Sequence, residues 1–489
     1  MGDTAESITL ESLAASIAKV AVELDIQEAK FVTLEGNTDI FYTLICGAFI
    51  FFMQCGFAML CAGSVRQKNV KNIMLKNLLD ACGGALGFWS IGFANAYGTG
   101  GKFIGGSTDK FFLNDYGGGA AHIDFFFQFT FAATAATIVA GTVAERCKMQ
   151  AYLLYSVFLT AFVYPVVVHA IWNGEGFLAA ANENPLSGVG MIDFAGSGVV
   201  HMTGGCTALV AAIVLGPRVG RFYDADGKVL AEPFTFPAHS VALQVLGTFI
   251  LWFGWYGFNP GSTLAISGAG QGDTAALCAV TTTLSAATGS ITAMFIDTLI
   301  GMCTEGHAEY DITMAMNGAL GGLVAITANC AVVEPWAAVL IGLIAGIVYV
   351  FASKLLVKLK IDDAVDAVPV HFFCGMWGLV ATGIFCSEDL LLASYDRVGG
   401  GIFYGHGNVL GNELLGIMFI IGWTAGIMTP FFILINWLGL FRVDATEERV
   451  GLDISHHKGA AYDMSRPDDA DIDEMKEKRS ATAHNREVA

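Results

Sequence analysis

Charge is what this chain has least of: 14% of its 489 residues are Asp, Glu, Lys or Arg, against 54% that are hydrophobic. Long uncharged runs separated by short polar ones exclude a soluble enzyme and describe a polytopic helical membrane protein. None of the eleven cysteines forms a CxxC pair, so no disulfide framework or metal knuckle is indicated. Most lie in or beside apolar runs (Cys46, Cys61, Cys206, Cys330, Cys374), where cysteine packs as a small polarisable residue. No long apolar run precedes Ile40 and the start of the chain is acidic, so a cleaved secretory signal is not expected, and the first span is expected to target the chain. No Asn-x-Ser/Thr sequon is present to place a loop. Much of the net charge of −19 lies in the first 40 residues and after Asp444. No nucleic-acid partner, metal or cofactor is expected.

What the chain does have is apolar length and glycine. The 59 glycines suit helices that pack closely in lipid, where no hydrophobic effect draws one helix to another. Apolar stretches long enough to cross a bilayer number eleven, at roughly 40–62, 78–97, 123–144, 151–171, 194–215, 237–260, 273–297, 312–331, 336–353, 365–387 and 412–437. Residues 1–37 precede them and read as an extracellular segment with an amphipathic helix, Leu13, Ile17, Val20 and Leu24 on one face, lying on the protein or membrane surface. The membrane domain spans 38–440. Residues 441–489 form a cytoplasmic tail, expected to be disordered beyond about 464, where the charges are mixed.

An odd number of spans puts the two termini on opposite sides. One set of connecting loops holds twelve basic residues, among them Arg66, Lys68, Arg146, Arg218 and Lys354; the other holds three, Lys102, Lys110 and Arg397. The excess of positive charge marks the cytoplasmic side, which places the N-terminus outside and the tail inside.

Two stretches repeat one logic. DFAGSGVVH runs from Asp193 to His201 and DAVDAVPVH from Asp363 to His371, each with an acid eight residues before a Val-His pair. Eight helical residues cover roughly 12 Å, so an acid at a membrane edge leaves its histidine near the midplane of a core about 30 Å thick. The fifth span runs inward and the tenth outward, so spans 1–5 and 6–10 form halves of opposite topology, with the eleventh an addition. In such architectures the substrate site lies at midplane between the halves. Ionisable groups at that depth read as functional by default.

These residues resemble the ammonium transporter (Amt/Mep/Rh) family, and the plant type-1 branch most of all. The resemblance covers nearly all of 40–462. It is carried by FFQFTFAATAATIVAGTVAER (126–146), AIWNGEG (170–176), DFAGSGVVH (193–201), WFGWYGFNPGS (252–262), DAVPVHFFCG (366–375) and the tail GLDISHHKGAAY (451–462). The resemblance implies that Trp172 and Ser262 recruit ammonium at an outer vestibule shaped by Asp193. It implies that Phe131 and Phe258 form a phenyl gate with Gln128 one turn earlier, and that His201 and His371, beside Trp255, line the pore. It further implies a homotrimer with one pore per subunit. Ser455 stands where plant relatives carry a regulatory threonine, which implies a kinase or regulatory protein acting on the tail.

The chemistry is consistent with those roles. Ammonium matches potassium in size and charge, so selectivity must use hydrogen bonding or the labile proton. A cation–π contact offers about 0.5–2 kcal/mol, whereas full desolvation of a small ion costs of order 20 kcal/mol in an idealised estimate. Crossing as ammonia avoids that cost, and paired imidazoles both donate and accept protons near neutrality. Asp193 reads as a helix cap more than as a direct ligand. Three functions compete with electrogenic ammonium uptake: an electroneutral ammonia channel, an ammonium sensor with little flux, and a metal-ion transporter. Two imidazoles without a nearby carboxylate or thiolate make a poor zinc site, which weighs against the last.

Overall fold

The apolar stretches become helices because nothing in lipid other than the chain itself can satisfy backbone N–H and C=O groups. The computed structural model describes residues 10–462 except 115 and 118. Among them nine helices are long and apolar enough to cross a membrane: α1 (Leu10–Ser64), α3 (Gly119–Thr142), α4 (Met149–Trp172), α5 (Ser197–Leu215), α6 (Val241–Gly261), α7 (Gln271–Thr304), α9 (Pro335–Lys358), α10 (Val368–Phe385) and α11 (Asn408–Trp437). Two more helices stand where the remaining expected spans lie: α2, continuous over 70–97, and the shorter α8 (Ile312–Ile326). Helix starts follow the usual chemistry. The Ser240 side chain caps α6, that of Asp311 caps α8, and Pro335 opens α9.

Three elements differ from the sequence expectation. The segment before residue 38 is not a separate helix lying back on the bundle; it runs straight into the first span as α1, and its side chains from Leu10 to Leu34 are exposed. Residues 1–9 and 463–489, the latter including the stretch expected to be disordered, lie outside the described residues. Second, α2 begins eight residues before its expected start, and the charges along it are absorbed by the protein. Lys76 is buried and donates to the Cys147 carbonyl at 2.7 Å, and buried Asp80 accepts from the Tyr152 hydroxyl.

Third, α8 stops at Ile326, and 327–333 turn back on themselves although the sequence there stays apolar. Those freed backbone groups are paired: Phe194 and Ala195 donate to the carbonyls of Ala328 and Thr327 at 2.9 and 3.0 Å, and Ser197 Oγ donates to the Val324 carbonyl while accepting from the Ala328 amide. Irregular backbone at this depth survives when it is enclosed by protein.

The two halves meet along α1 and α6, which pack lengthwise, and through α5 and α10, which cross. Glycines set that crossing. A Cβ on Gly205 would strike the Phe372 backbone nitrogen, and one on Gly375 would lie 2.7 Å from the Ser197 carbonyl. The glycine that follows each histidine by four residues therefore admits the other histidine's helix. Large apolar side chains face outward on the rim, such as Phe249, Ile291, Phe351 and Met418, as a lipid-facing surface requires.

The tail-side face is held by charge. Glu145 pairs with Arg66 at 2.6 Å and Arg218 at 3.4 Å, and the Arg218 guanidinium makes two 2.8 Å bonds to Asp362. Burial opposes ionisation of both carboxyls. The guanidinium groups of Arg218 and Arg66 outweigh it at Glu145, and those of Arg146 and Arg218 do so at Asp362, holding both carboxyls below the usual carboxylate range.

After α11 the chain crosses this face and makes two short helices, α12 (Ala445–Val450) and α13 (Leu452–His457). Asp453 of α13 accepts from the Lys71 and Asn72 amides at 3.0 and 2.9 Å, while Asn69 Oδ1 accepts from the Leu452 amide at 2.9 Å. The tail thus supplies the cap for the first turn of α2.

Candidate functional site

Asp193 and Asp363 build the same turn in opposite halves. Asp193 Oδ2 accepts from the Gly198 amide at 3.0 Å and Asp363 Oδ2 from the Val368 amide at 2.7 Å, each five residues on. Three residues after each acid the backbone turns left-handed, at Gly196 (φ 105°) and Asp366 (φ 58°). A wide, π-type turn follows in each, Ser197–Met202 and Val368–Phe373, and it carries the histidine. The repeated eight-residue spacing is therefore a cap, a reversal and one wide turn.

Those turns bring the histidines together. His201 Nδ1 and His371 Nδ1 are 3.1 Å apart, with ring centroids at 5.2 Å and planes 19° from parallel. Such a contact requires one Nδ1 to carry the hydrogen and the other to accept it. His201 Nε2 is buried and has no hydrogen-bond partner. Trp255 stacks on His201 at 5.1 Å and 16°, fixed in turn by its indole N–H donating to Thr327 Oγ1 at 2.9 Å. Phe258 lies 5.5 Å from His201 on the way to the vestibule.

Phe131 and Phe258 close that way. Their centroids are 4.3 Å apart, tilted by 42°, and both rings are buried. Beyond them opens a cavity of about 420 Å³, lined by Trp172, Ser262, Gln128, Phe131 and the tyrosines 97 and 395. Phe131 meets Trp172 edge to face at 5.7 Å. Ser262 Oγ donates to the Phe258 carbonyl at 2.8 Å, which leaves its lone pairs for a cation. Gln128 Oε1 is buried without a partner, a second acceptor at the same wall. On the other side of the histidines, His371 lines a space of about 20 Å³ with Thr137, Asn317 and Val365, room for about one molecule the size of water.

Asp193 stands apart from the cavity. Its buried carboxylate is engaged by the amides of Gly196, Gly198 and Val199, at 3.1, 3.0 and 2.8 Å. It reaches the vestibule through its main chain: the Trp172 indole N–H donates to the Asp193 carbonyl at 2.7 Å. Gly196 is required beside it, because a Cβ there would lie 3.1 Å from the indole ring. Tyr97, Tyr395, Thr327 and Asn317 were not foreseen from sequence. None belongs to the motifs that mark the other site residues, and only the fold brings each to the path.

The profile of the Ammonium Transporter Family matches residues 41–462. The chain belongs to the ammonium transporter family. It is 44% identical to "Ammonium transporter 1 member 3" of Solanum lycopersicum over 87% of this chain and 93% of that one. It is 43% identical to "Ammonium transporter Amt2" of Archaeoglobus fulgidus over 87% and 88%. Among solved structures, "Sensor Amt Protein" superposes with a TM-score of 0.75 at 34% identity, over 87% of this chain and 99% of that one. Candida albicans Mep2 superposes at 0.73 and 28% identity, over 83% and 86%. The ammonium transporter family is one of membrane transport proteins, not of enzymes.

Proposed function

We propose that this ammonium transporter recruits the cation at the Trp172–Ser262 vestibule, removes its proton, and passes ammonia between Phe131 and Phe258 and along His201 and His371. The proton crosses by a separate route, so that each ammonia moves one net charge. The observation that carries this reading is the histidine pair: its Nδ1 atoms are engaged with each other while His201 Nε2 is left buried and unpaired. When His201 donates at Nδ1, its Nε2 lone pair is open to a proton from the pore; when it accepts, Nε2 carries a hydrogen for ammonia's lone pair. Potassium has no proton to give and meets an apolar constriction instead.

Vestibule contacts supply recruitment without full desolvation. The Trp172 face contributes about 0.5–2 kcal/mol, and Ser262 and Gln128 supply oxygen acceptors. Asp193 acts as the cap that positions Trp172. The positive-inside asymmetry supports a plasma-membrane orientation with the vestibule outside and the tail in the cytoplasm. A membrane potential of 100 mV then supplies about 2.3 kcal/mol per charge. The assembly is a homotrimer embedded in lipid, each subunit with its own pore.

Ser455 regulates this transporter through the tail. Its side chain is buried and donates to the Gly451 carbonyl at 2.9 Å, so a kinase reaches it only after α13 lifts away. A phosphate there keeps α13 from returning, next to the Asp453 carboxylate.

Uptake of labelled ammonium by cells lacking their own transporters tests the function: the intact chain restores saturable uptake, and His201→Ala with His371→Ala abolishes it. The similarity to "Sensor Amt Protein" favours one second reading, a sensor with little flux. Absence of uptake both in the intact chain and after removal of 451–489 selects that reading.

A further inference from the structure

A second chamber of about 540 Å³ lies beside the vestibule, and nothing in the proposed mechanism uses it. The two cavities share one wall, made by Tyr97, Phe127, Gln128 and Leu264. That wall carries two buried polar atoms with no hydrogen-bond partner, Tyr97 Oη and Gln128 Oε1. Asp124, one turn before Gln128 on α3, and the loop that follows α2 complete the lining.

An ammonium group already stands in the wall of this chamber. Lys110 Nζ, from the loop, lies 4.0 Å from the centroid of the Tyr116 ring and 5.7 Å from that of Phe93. Asp39 also lines the space, but its carboxylate is taken by the Ile266 amide and by the amide and hydroxyl of Ser267, at 2.7 to 2.9 Å. The chamber therefore offers two aromatic faces, the Asp124 carboxylate and the unpaired Tyr97 hydroxyl oxygen. A primary ammonium ion seeks that combination: a π face, an opposite charge and acceptors for its N–H groups.

We infer that the Tyr116–Phe93 cage in the wall of this chamber is a second site for small ammonium ions, ammonium itself or methylammonium, which the Lys110 head group occupies as a tethered stand-in. The head group of lysine is a methylammonium on a stem, so whatever holds one holds the other. A tethered group competes at an effective concentration of order millimolar. Free cation therefore displaces Lys110 only when external ammonium reaches that range, well after the vestibule has filled. The inference rests on the proposed ammonium reading for the identity of the ligand.

Equilibrium binding of radiolabelled methylammonium to the full-length protein in lipid nanodiscs tests it. The intact chain is expected to bind one equivalent tightly and a second only at millimolar concentration. Lys110→Ala vacates the cage, so the second equivalent tightens at least tenfold. It persists when the vestibule is disabled by Trp172→Leu, and Tyr116→Leu or Asp124→Asn removes it. Lys110→Ser serves in parallel should the alanine variant fail to fold. A single equivalent in both Lys110 variants, with binding otherwise as in the intact chain, overturns the chamber site and leaves the transport reading standing. Loss of all binding in the intact chain overturns the transport reading instead.

Discussion

The indole N–H of Trp172 donates to the main-chain carbonyl of Asp193 across 2.7 Å. One residue thereby ties the vestibule's aromatic wall to the start of the helix that carries His201. The Asp193 carboxylate holds the other end of that link, on three amides of the turn into α5.

Asp193→Ala removes all three of those bonds. Hydrogen bonds to a charged group contribute about 1.5–3 kcal/mol each, so the variant is expected to lose at least ~2 kcal/mol of stability and most of its uptake. Asp193→Asn keeps an acceptor oxygen but presents an N–H₂ group to amide donors, and falls between. Thermal unfolding in detergent alongside uptake distinguishes a cap from a ligand: a ligand loses uptake with its melting temperature unchanged.

Gly205→Leu tests the crossing of α5 and α10. The new side chain collides with the backbone at Phe372 and His371, and overpacking of this kind costs about 1–3 kcal/mol. It also separates the imidazoles, so uptake is expected to fall more than tenfold. Gly422→Leu is the control, because nothing lies within 4 Å of a Cβ at that α11 position, and uptake there stays within about twofold. Equal loss in both variants contradicts the packing account.

How much of this was legible in the sequence depends on what kind of signal carried it. The eleven spans and the two acid-to-histidine stretches are periodic, local patterns, and each leaves a trace along the chain. The left-handed residue between acid and histidine is visible in one half, as Gly196, and hidden in the other, where Asp366 adopts it. The early start of α2 was obscured because Lys76 reads as a loop charge until the Cys147 carbonyl is brought beside it. The early end of α8 was obscured for the converse reason: 327–333 remain apolar, and only the contact with 194–197 shows where the unwound backbone is satisfied. Tyr395 and Asn317 lie outside every motif that marks the other residues of the path, so nothing in the sequence announces them.

Asp453→Ala removes the cap that the tail lends to α2, at a cost of about 0.5–2 kcal/mol. That loss is small for the whole fold but large for two six-residue helices. Limited proteolysis is expected to cut after Val443 several-fold faster, with uptake reduced in proportion. Ser455→Asp is expected to do the same, whereas Ser455→Ala leaves both close to the intact chain. Unchanged cleavage in the Asp453 variant contradicts the docking role.

The buried cluster on the tail-side face makes a pH prediction. Glu145 and Asp362 ionise more readily in the folded protein than in the unfolded chain, so their contribution is fully present above about pH 4, the unfolded range for carboxyls. It is lost as pH falls below that, through the depressed folded values. The change of melting temperature with pH is therefore expected to owe nothing to these groups between pH 5 and 8, where their contribution is constant. Glu145→Gln leaves Arg66 and Arg218 short of a partner and is expected to cost about 3–5 kcal/mol at neutral pH. That penalty should shrink on acidification below about pH 4, where the intact chain also loses the charge. A penalty already gone at pH 6 contradicts the assignment.

The central claim is that ammonium gives up its proton and crosses with one net charge. The direct measurement is the current across proteoliposome membranes after an ammonium jump, recorded with internal pH, for the intact chain and for His201→Ala with His371→Ala. An ammonium current that potassium does not evoke and the double variant lacks is the expected result. Fast internal alkalinisation with no current contradicts it and makes the protein an electroneutral ammonia channel.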